Sequence, residues 1–165
     1  MLLVVVVIVL VVLAVAVASI RRVPERTWYV VERSGVYRTS LAPGVHAIVP
    51  VLDRVVAHID MDDQLLSLEE PLVTGDNQVV QAHIEIAYAV ADPAAVYHAG
   101  SSAAPIEVAV SSALRQYAGS IDRDELTTRQ GALAEIAREA LGAAPESWGV
   151  RIDRVDVTDV VSTEG

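Results

Sequence analysis

The chain has 165 residues and a formal net charge of −10, from 22 acidic and 12 basic residues, and it contains no cysteine. That charge repels polyanions and so argues against backbone-phosphate binding to nucleic acid, while the missing thiols exclude disulfides and Cys-ligated zinc or iron–sulfur centres. Every basic residue is Arg, which removes Ser-Lys dyads and lysine Schiff bases as well.

Residues 1–20 carry no charge and one polar side chain, Ser19, before the run stops at Arg21-Arg22. As a helix rising about 1.5 Å per residue, this stretch, with Leu2 near one end, Val11 midway and Ile20 at the other, matches the hydrocarbon thickness of a bilayer of about 30 Å. Its Val-rich composition is mediocre for a helix in water, but hydrocarbon offers backbone N–H and C=O groups no other partner. Its fifteen Leu, Ile and Val residues make insertion favourable by about 5 to 9 kcal/mol as an upper bound. A cleaved secretory signal is the competing reading, since Ala16-Val17-Ala18 resembles a cleavage site; no basic residue precedes the apolar core, however, and two arginines follow at once. A buried core helix would be shorter and amphipathic. Arg21, Arg22 and Arg26 flank the C-terminal side, so the positive-inside rule puts residues 21–165 in the cytoplasm.

The remaining 145 or so residues are one domain's worth. Strands are predicted first. Thr27–Arg33 is β-branched and aromatic and meets a turn at Ser34-Gly35. Gly44–Val51 is a short apolar stretch punctuated by Pro43 and Pro50. Val55–Met61 alternates, with Val55, Ala57, Ile59 and Met61 apolar and His58, Asp60 and Asp62 polar. A second alternation runs from Val80 to Val90, after a turn at Thr74-Gly75-Asp76-Asn77.

Helices come next. Asp92-Pro93 starts a short one that ends near Gly100, and Ile106, Val110, Ala113, Leu114 and Tyr117 line one face of the second. Asp122 and Glu125 form a capping-box-like pair ahead of Leu126, Leu133, Ile136 and Leu141. The last strand, Val150–Val157, changes its apolar parity between Ile152 and Val155, which predicts a bulge or a face switch.

Catalytic and cofactor motifs are absent. There is no G-x-S-x-G elbow, dinucleotide-binding glycine loop or phosphate-cradling loop. His83-Ile84-Glu85 matches the H-x-E of zinc deaminases, whose other ligands are cysteines this chain lacks. His46, His58, His83 and His98 never fall at the i, i+4 spacing of helical zinc sites, and Asp60, Asp62 and Asp63 lack the Gly and terminal Glu of a calcium loop. No catalytic residue, cofactor or metal is therefore expected. The remaining candidate is the apolar run through Val45, Ile48, Val49, Val51 and Leu52. An ordinary core strand is its plain reading, and shallow insertion into the leaflet is the alternative, because the chain leaves the apolar helix about twenty residues earlier.

In order, these marks resemble the stomatin/prohibitin/flotillin group, the SPFH or Band 7 domain family. The carrying residues are the apolar N-terminal segment, Val30-Val31-Glu32-Arg33-Ser34-Gly35, Pro43-Gly44-Val45-His46 through Pro50-Val51-Leu52-Asp53-Arg54-Val55, Val73-Thr74-Gly75-Asp76-Asn77, Tyr88-Ala89-Val90-Ala91-Asp92-Pro93, Ala113-Leu114-Arg115, Asp124-Glu125-Leu126-Thr127-Thr128-Arg129 and Trp148-Gly149-Val150-Arg151-Ile152. The resemblance implies an α+β fold, with a transmembrane helix at 1–20, an SPFH/Band 7 domain at 21–162 that runs antiparallel strands, helices and a returning strand, and a tail at 163–165. It implies a non-enzymatic, single-pass membrane scaffold that oligomerises with itself or other Band 7 proteins and organises membrane proteins and lipid patches. Regulation of a membrane-bound protease is the alternative, and a hydrolase the remote one. Members usually continue into a long Ala/Glu/Arg-rich helix that builds the oligomer, so the sequence reads as a short stomatin-like member without it.

Overall fold

The computed structural model describes residues 1–50, 52–142 and 146–162, the last without its side chain. It is an α+β protein that divides into two compact units, Met1–Met61 and Asp62–Gly165.

The first unit opens with helix α1, Leu2–Ser19. Ile20 adopts φ −82° and ψ 122°, so the chain leaves the helix directly as strand β1, Ile20–Val23. The helix thus stops one residue short of the predicted span, and the flanking arginines Arg21 and Arg22 lie in a strand. The reason is pairing: β1 is antiparallel to β4, Gly44–Ala47, with Ile20 opposite Ala47, Arg21 opposite His46 and Arg22 opposite Val45. Strands β2, Thr27–Arg33, and β3, Val36–Leu41, form a hairpin across Ser34 and Gly35, both at positive φ. Strand β5, Asp53–Asp60, pairs with the other edge of β2, giving the order β3-β2-β5. Val23, Val30, Val31, Ile48 and Ile59 are buried there. Ile59 faces in while His58 and Asp60 are exposed, as the alternation predicts.

The second unit is a three-stranded antiparallel sheet, β6-β7-β8, with helices on one face. β7, Val79–Val90, is central; its even positions Val80, Ala82, Ile84, Ile86 and Tyr88 are buried against Ile106, Val110 and Leu114 of α3, Ala104–Ala118, and Leu133, Ala137 and Leu141 of α5, Gln130–Gly142. Full burial of each large aliphatic here contributes about 1.5–3 kcal/mol before entropy. Edge strand β6, Gln64–Val73, holds Pro71, whose missing N–H an edge tolerates. β8, Val150–Ser162, pairs with β7 and slips register around Asp153, at the predicted bulge, and again around Thr158.

Two local details differ from the sequence reading. Short helix α2, Pro93–Ala99, is capped as expected, with Asp92 Oδ1 accepting from Ala94 N at 2.8 Å. The Asp122 side chain, by contrast, makes no cap hydrogen bond, and the helical stretch beyond it breaks at Arg129 (φ −109°, ψ 42°) into α4, Arg123–Thr128, and α5. Asp76 takes the capping role from afar: its Oδ1 accepts from Thr74 Oγ1 and from the Arg123 backbone N at 3.2 Å, and these bonds hold its carboxyl below the usual range. The turn expected at residues 74–77 thereby docks on the loop before α4, where Gly75 N also donates to Ile121 O at 2.8 Å.

Candidate membrane-facing site

Helix α1 has no buried residue, and its 18 residues make it about 27 Å long. Leu2 and Val11 are 81% and 56% exposed. The helix is long and apolar enough to cross a membrane. Its one hydroxyl is satisfied internally, since Ser19 Oγ donates to Val15 O at 2.7 Å. In hydrocarbon such an unmet donor would be costly.

The strand pairing at the end of α1 brings the sequence candidates together. β1 runs away from the helix and β4 runs back towards it, until Ile48 N donates to the Ser19 carbonyl at 2.8 Å. The chain then turns: Leu52 N and Asp53 N both donate to Val49 O, at 3.0 and 2.7 Å. The apolar run is therefore not one surface. Val45, Val49 and Leu52 are 70%, 45% and 51% exposed, whereas Ile48 is 6% exposed and faces inward. Val51 lies outside the described residues. Arg21, Arg22 and Arg26 are exposed. Arg26 holds φ 66° and its carbonyl accepts Met61 N at 2.8 Å, which places it at the entry to β2 rather than on β1 beside its two neighbours.

Sequence reasoning missed the group that fixes this turn. The carboxylate of Asp53 is fully shielded from solvent. Its Oδ1 accepts from Arg33 Nε at 2.7 Å, and its Oδ2 from Arg33 Nη2 at 3.0 Å, Arg38 Nη1 at 2.6 Å and Val49 N at 2.9 Å. The bidentate Arg33 contact, then the Val49 amide, then Arg38 hold the Asp53 carboxyl far below the ordinary carboxylate range, against the opposing effect of burial. Four chain segments thus meet at one side chain. No local signal marks it, because Arg33 and Arg38 are 20 and 15 residues away along the chain.

Elsewhere the described residues offer no converging chemistry. Among the described residues no three His, Asp or Glu side chains come together to hold a metal ion. His83 lies beside Glu69, Nδ1 to Oε1 3.7 Å, on the exposed sheet face, and His46 Nε2 is 2.7 Å from Ala42 O. An open groove over α3 and α5 is lined by Ala113, Gln116, Tyr117, Ile136, Glu139 and Ala140 and holds a single carboxylate. Glu70 is buried under α3, accepting Ser111 Oγ at 2.8 Å; Arg115 Nη2 lies 2.5 Å from its other oxygen, an ion pair set off the hydrogen-bonding direction. That cluster pins a helix to a strand.

Comparison with known proteins agrees with this architecture. The family model described as SPFH domain / Band 7 family matches residues 21–164. An uncharacterized protein of Methanothermobacter thermautotrophicus is 31% identical over 130 residues, 78% of this chain and 41% of its own length. An uncharacterized protein of Mycobacterium tuberculosis is 26% identical over 148 residues, 88% of this chain and 39% of the relative. Human mitochondrial stomatin-like protein 2 is 27% identical over 143 residues, 84% of this chain and 39% of the relative. The chain spans about two fifths of the length of these curated relatives.

Proposed function

The chain belongs to the SPFH domain / Band 7 family, and from that premise we propose that it is a single-span membrane-anchored scaffold that works by binding protein and lipid and performs no reaction. Residues 1–20 form the span and 21–162 the domain it confines. The observation that carries this reading is α1, an apolar helix of 18 residues with no buried side chain. Without a protein surface to pack on, its apolar faces find their favourable solvent in a bilayer. Confinement then supplies the function: anchored domains meet in two dimensions at high effective concentration, so weak side-to-side contacts with further copies or other Band 7 proteins suffice to cluster them. Arg21 and Arg22 just beyond the helix favour a cytoplasmic domain.

Crosslinking of the full chain in native membranes tests clustering. Ladders of self-association support it, and freely diffusing monomers overturn it. Purification in mild detergent separates the second reading from the first, because a stoichiometric membrane protease in the eluate makes the chain that protease's regulatory subunit. The chain has no native cysteine, so an impermeant maleimide on Val108→Cys reads the side directly; labelling of intact cells from outside overturns the cytoplasmic assignment.

A further inference from the structure

We infer that the open edge of β6, from Leu65 to Glu69, takes an extended segment of a partner protein, apolar and basic in alternation, as an added strand of the β6-β7-β8 sheet. This names the class of partner for the proposed scaffold and rests on that reading. The edge follows from hydrogen-bond parity. Across an antiparallel pair, residues alternate between those that exchange both backbone bonds with the neighbour and those whose N–H and C=O point away. Thr74 N donates to Gln78 O at 2.9 Å, and the register runs from there back to Gln64 opposite Tyr88 without a slip, so the even residues of β6 are the ones bonded to β7. Pro71, which has no N–H to give, falls in the odd set as that parity requires. Leu65, Ser67 and Glu69 therefore aim their N–H and C=O groups outward, on the side where β6 has no strand neighbour. Among the described residues, no backbone group outside the sheet bonds to them.

Side chains decide what fits there. On the helix-covered face, burial falls off towards the start of the strand: Leu72 is fully buried and Glu70 lies under Ser111 and Arg115 of α3, but Leu66 and Leu68 are only half-buried against the core. Apolar residues opposite those two leucines would complete the cover, at the positions of an antiparallel pair where side chains stand closest. On the other face the partner meets Leu65, 60% exposed, and Glu69, whose side chain is 78% exposed with His83 3.7 Å away. A cation opposite Glu69 gains a cross-strand ion pair. Pro71 offers no donor to a further strand and ends the docking stretch at Glu69. A second copy of β6 fits less well. Paired antiparallel about Ser67, it sets Leu65 against the other copy's Glu69 at both ends and joins two chains of −10 each. A basic segment reverses both penalties, and main-chain bonds to the edge supply its affinity.

The test uses the full chain in detergent micelles and a fluorescein-labelled peptide, Lys-Val-Thr-Val-Ile with Gly-Ser flanks, whose residues fall opposite Glu69 through Leu65 in antiparallel order. Its anisotropy should rise and saturate. Methylating the peptide's Thr nitrogen, which faces the edge, should weaken binding about ten-fold, whereas methylating the preceding Val nitrogen, which faces away, should leave it unchanged. Ser67→Pro removes an outward N–H and no bond to β7, so it should lose the peptide and melt as the parent does. Glu69→Lys should lose this peptide and gain the version with Glu in place of its Lys. No saturable binding, or equal loss from the two methylations, overturns the edge site. Self-crosslinks that Ser67→Pro removes, in a chain that ignores the peptide, overturn the partner class in favour of a second copy. Peptide capture by a chain that crosslinking in native membranes shows as freely diffusing monomers overturns the proposed clustering and leaves the edge site standing.

Discussion

Gly149 sits against the backbone of Asp92, its carbonyl accepting from both Ala91 N at 2.8 Å and Asp92 N at 3.0 Å, and it leaves no room for a side chain. A Cβ on Gly149 would lie 2.8 Å from Ala95 Cβ and 2.9 Å from Val96 N, and closer still to the Asp92 carbonyl oxygen. Its φ of 67° adds the left-handed cost of any L side chain. Gly149→Ala should destabilise the second unit by about 3 kcal/mol or more, read as a lowered midpoint in thermal melts followed by Trp148 fluorescence. Restoring only the φ preference with Asn should recover little, because the clash is with backbone.

Asp53 makes the first unit acid-sensitive in a defined direction. Its carboxyl is held below the ordinary carboxylate value in the fold, so the stability it supplies is complete above an unfolded pKa of about 3.9 and is lost as pH falls further towards its folded value. Melting followed by Trp28 in a Trp148→Phe background should be flat from pH 7 to about 5 and fall below about 4. Asp53→Asn should melt lower at pH 7 and show less further loss in acid. An unchanged acid profile in that variant would show that the knot is not the titrating element.

Glu70 ties β6 to α3 through Ser111 and Arg115. Because Arg115 is largely exposed, its guanidinium can return to water when the carboxylate is removed, and the loss is mainly one buried hydrogen bond and its packing. Glu70→Ala should cost about 1–3 kcal/mol, measured by urea denaturation with an unchanged m-value. Arg115→Ala alone should cost less.

The proposed span should tolerate one central charge far better than two. An arginine at the centre of a helix costs about 2.5–3.5 kcal/mol of insertion, against the upper bound of about 5–9 kcal/mol available here. Val9→Arg should still float with membranes after carbonate extraction, with reduced yield. Val7→Arg combined with Val11→Arg should leave the chain in the soluble or aggregated fraction.

Much of the fold is legible from sequence because it is periodic. The alternation from Val80 to Val90 marks the central strand and its buried face, and the helical spacing of Ile106, Val110 and Leu114 marks the face of α3 that covers it. The parity change before Val155 locates the bulge at Asp153. What escapes is non-local. β1 reads as an arginine flank because its four residues become a strand only opposite Gly44–Ala47. β6 is hidden because Glu70 and Pro71 interrupt its Leu66, Leu68, Leu72 alternation, and Glu70 faces inward only because Ser111 and Arg115 meet it. The helix break at Arg129 is likewise invisible, since the apolar spacing continues across it. At the candidate site, the apolar run reads Val45, Ile48, Val49, Val51 and Leu52 together, and nothing in it shows that Ile48 faces inward or that Asp53 fixes the turn.

There is no slack between α1 and strand β1. Ile20 closes the helix and begins the ribbon, and the Ile48–Ser19 bond stitches the returning strand to the last helical residue. A helix that tilts to match a thinner or thicker bilayer must therefore carry the ribbon with it as a lever carries its arm. Where α1 spans a bilayer as proposed, the thickness of that bilayer would bear on the angle of the first strand pair.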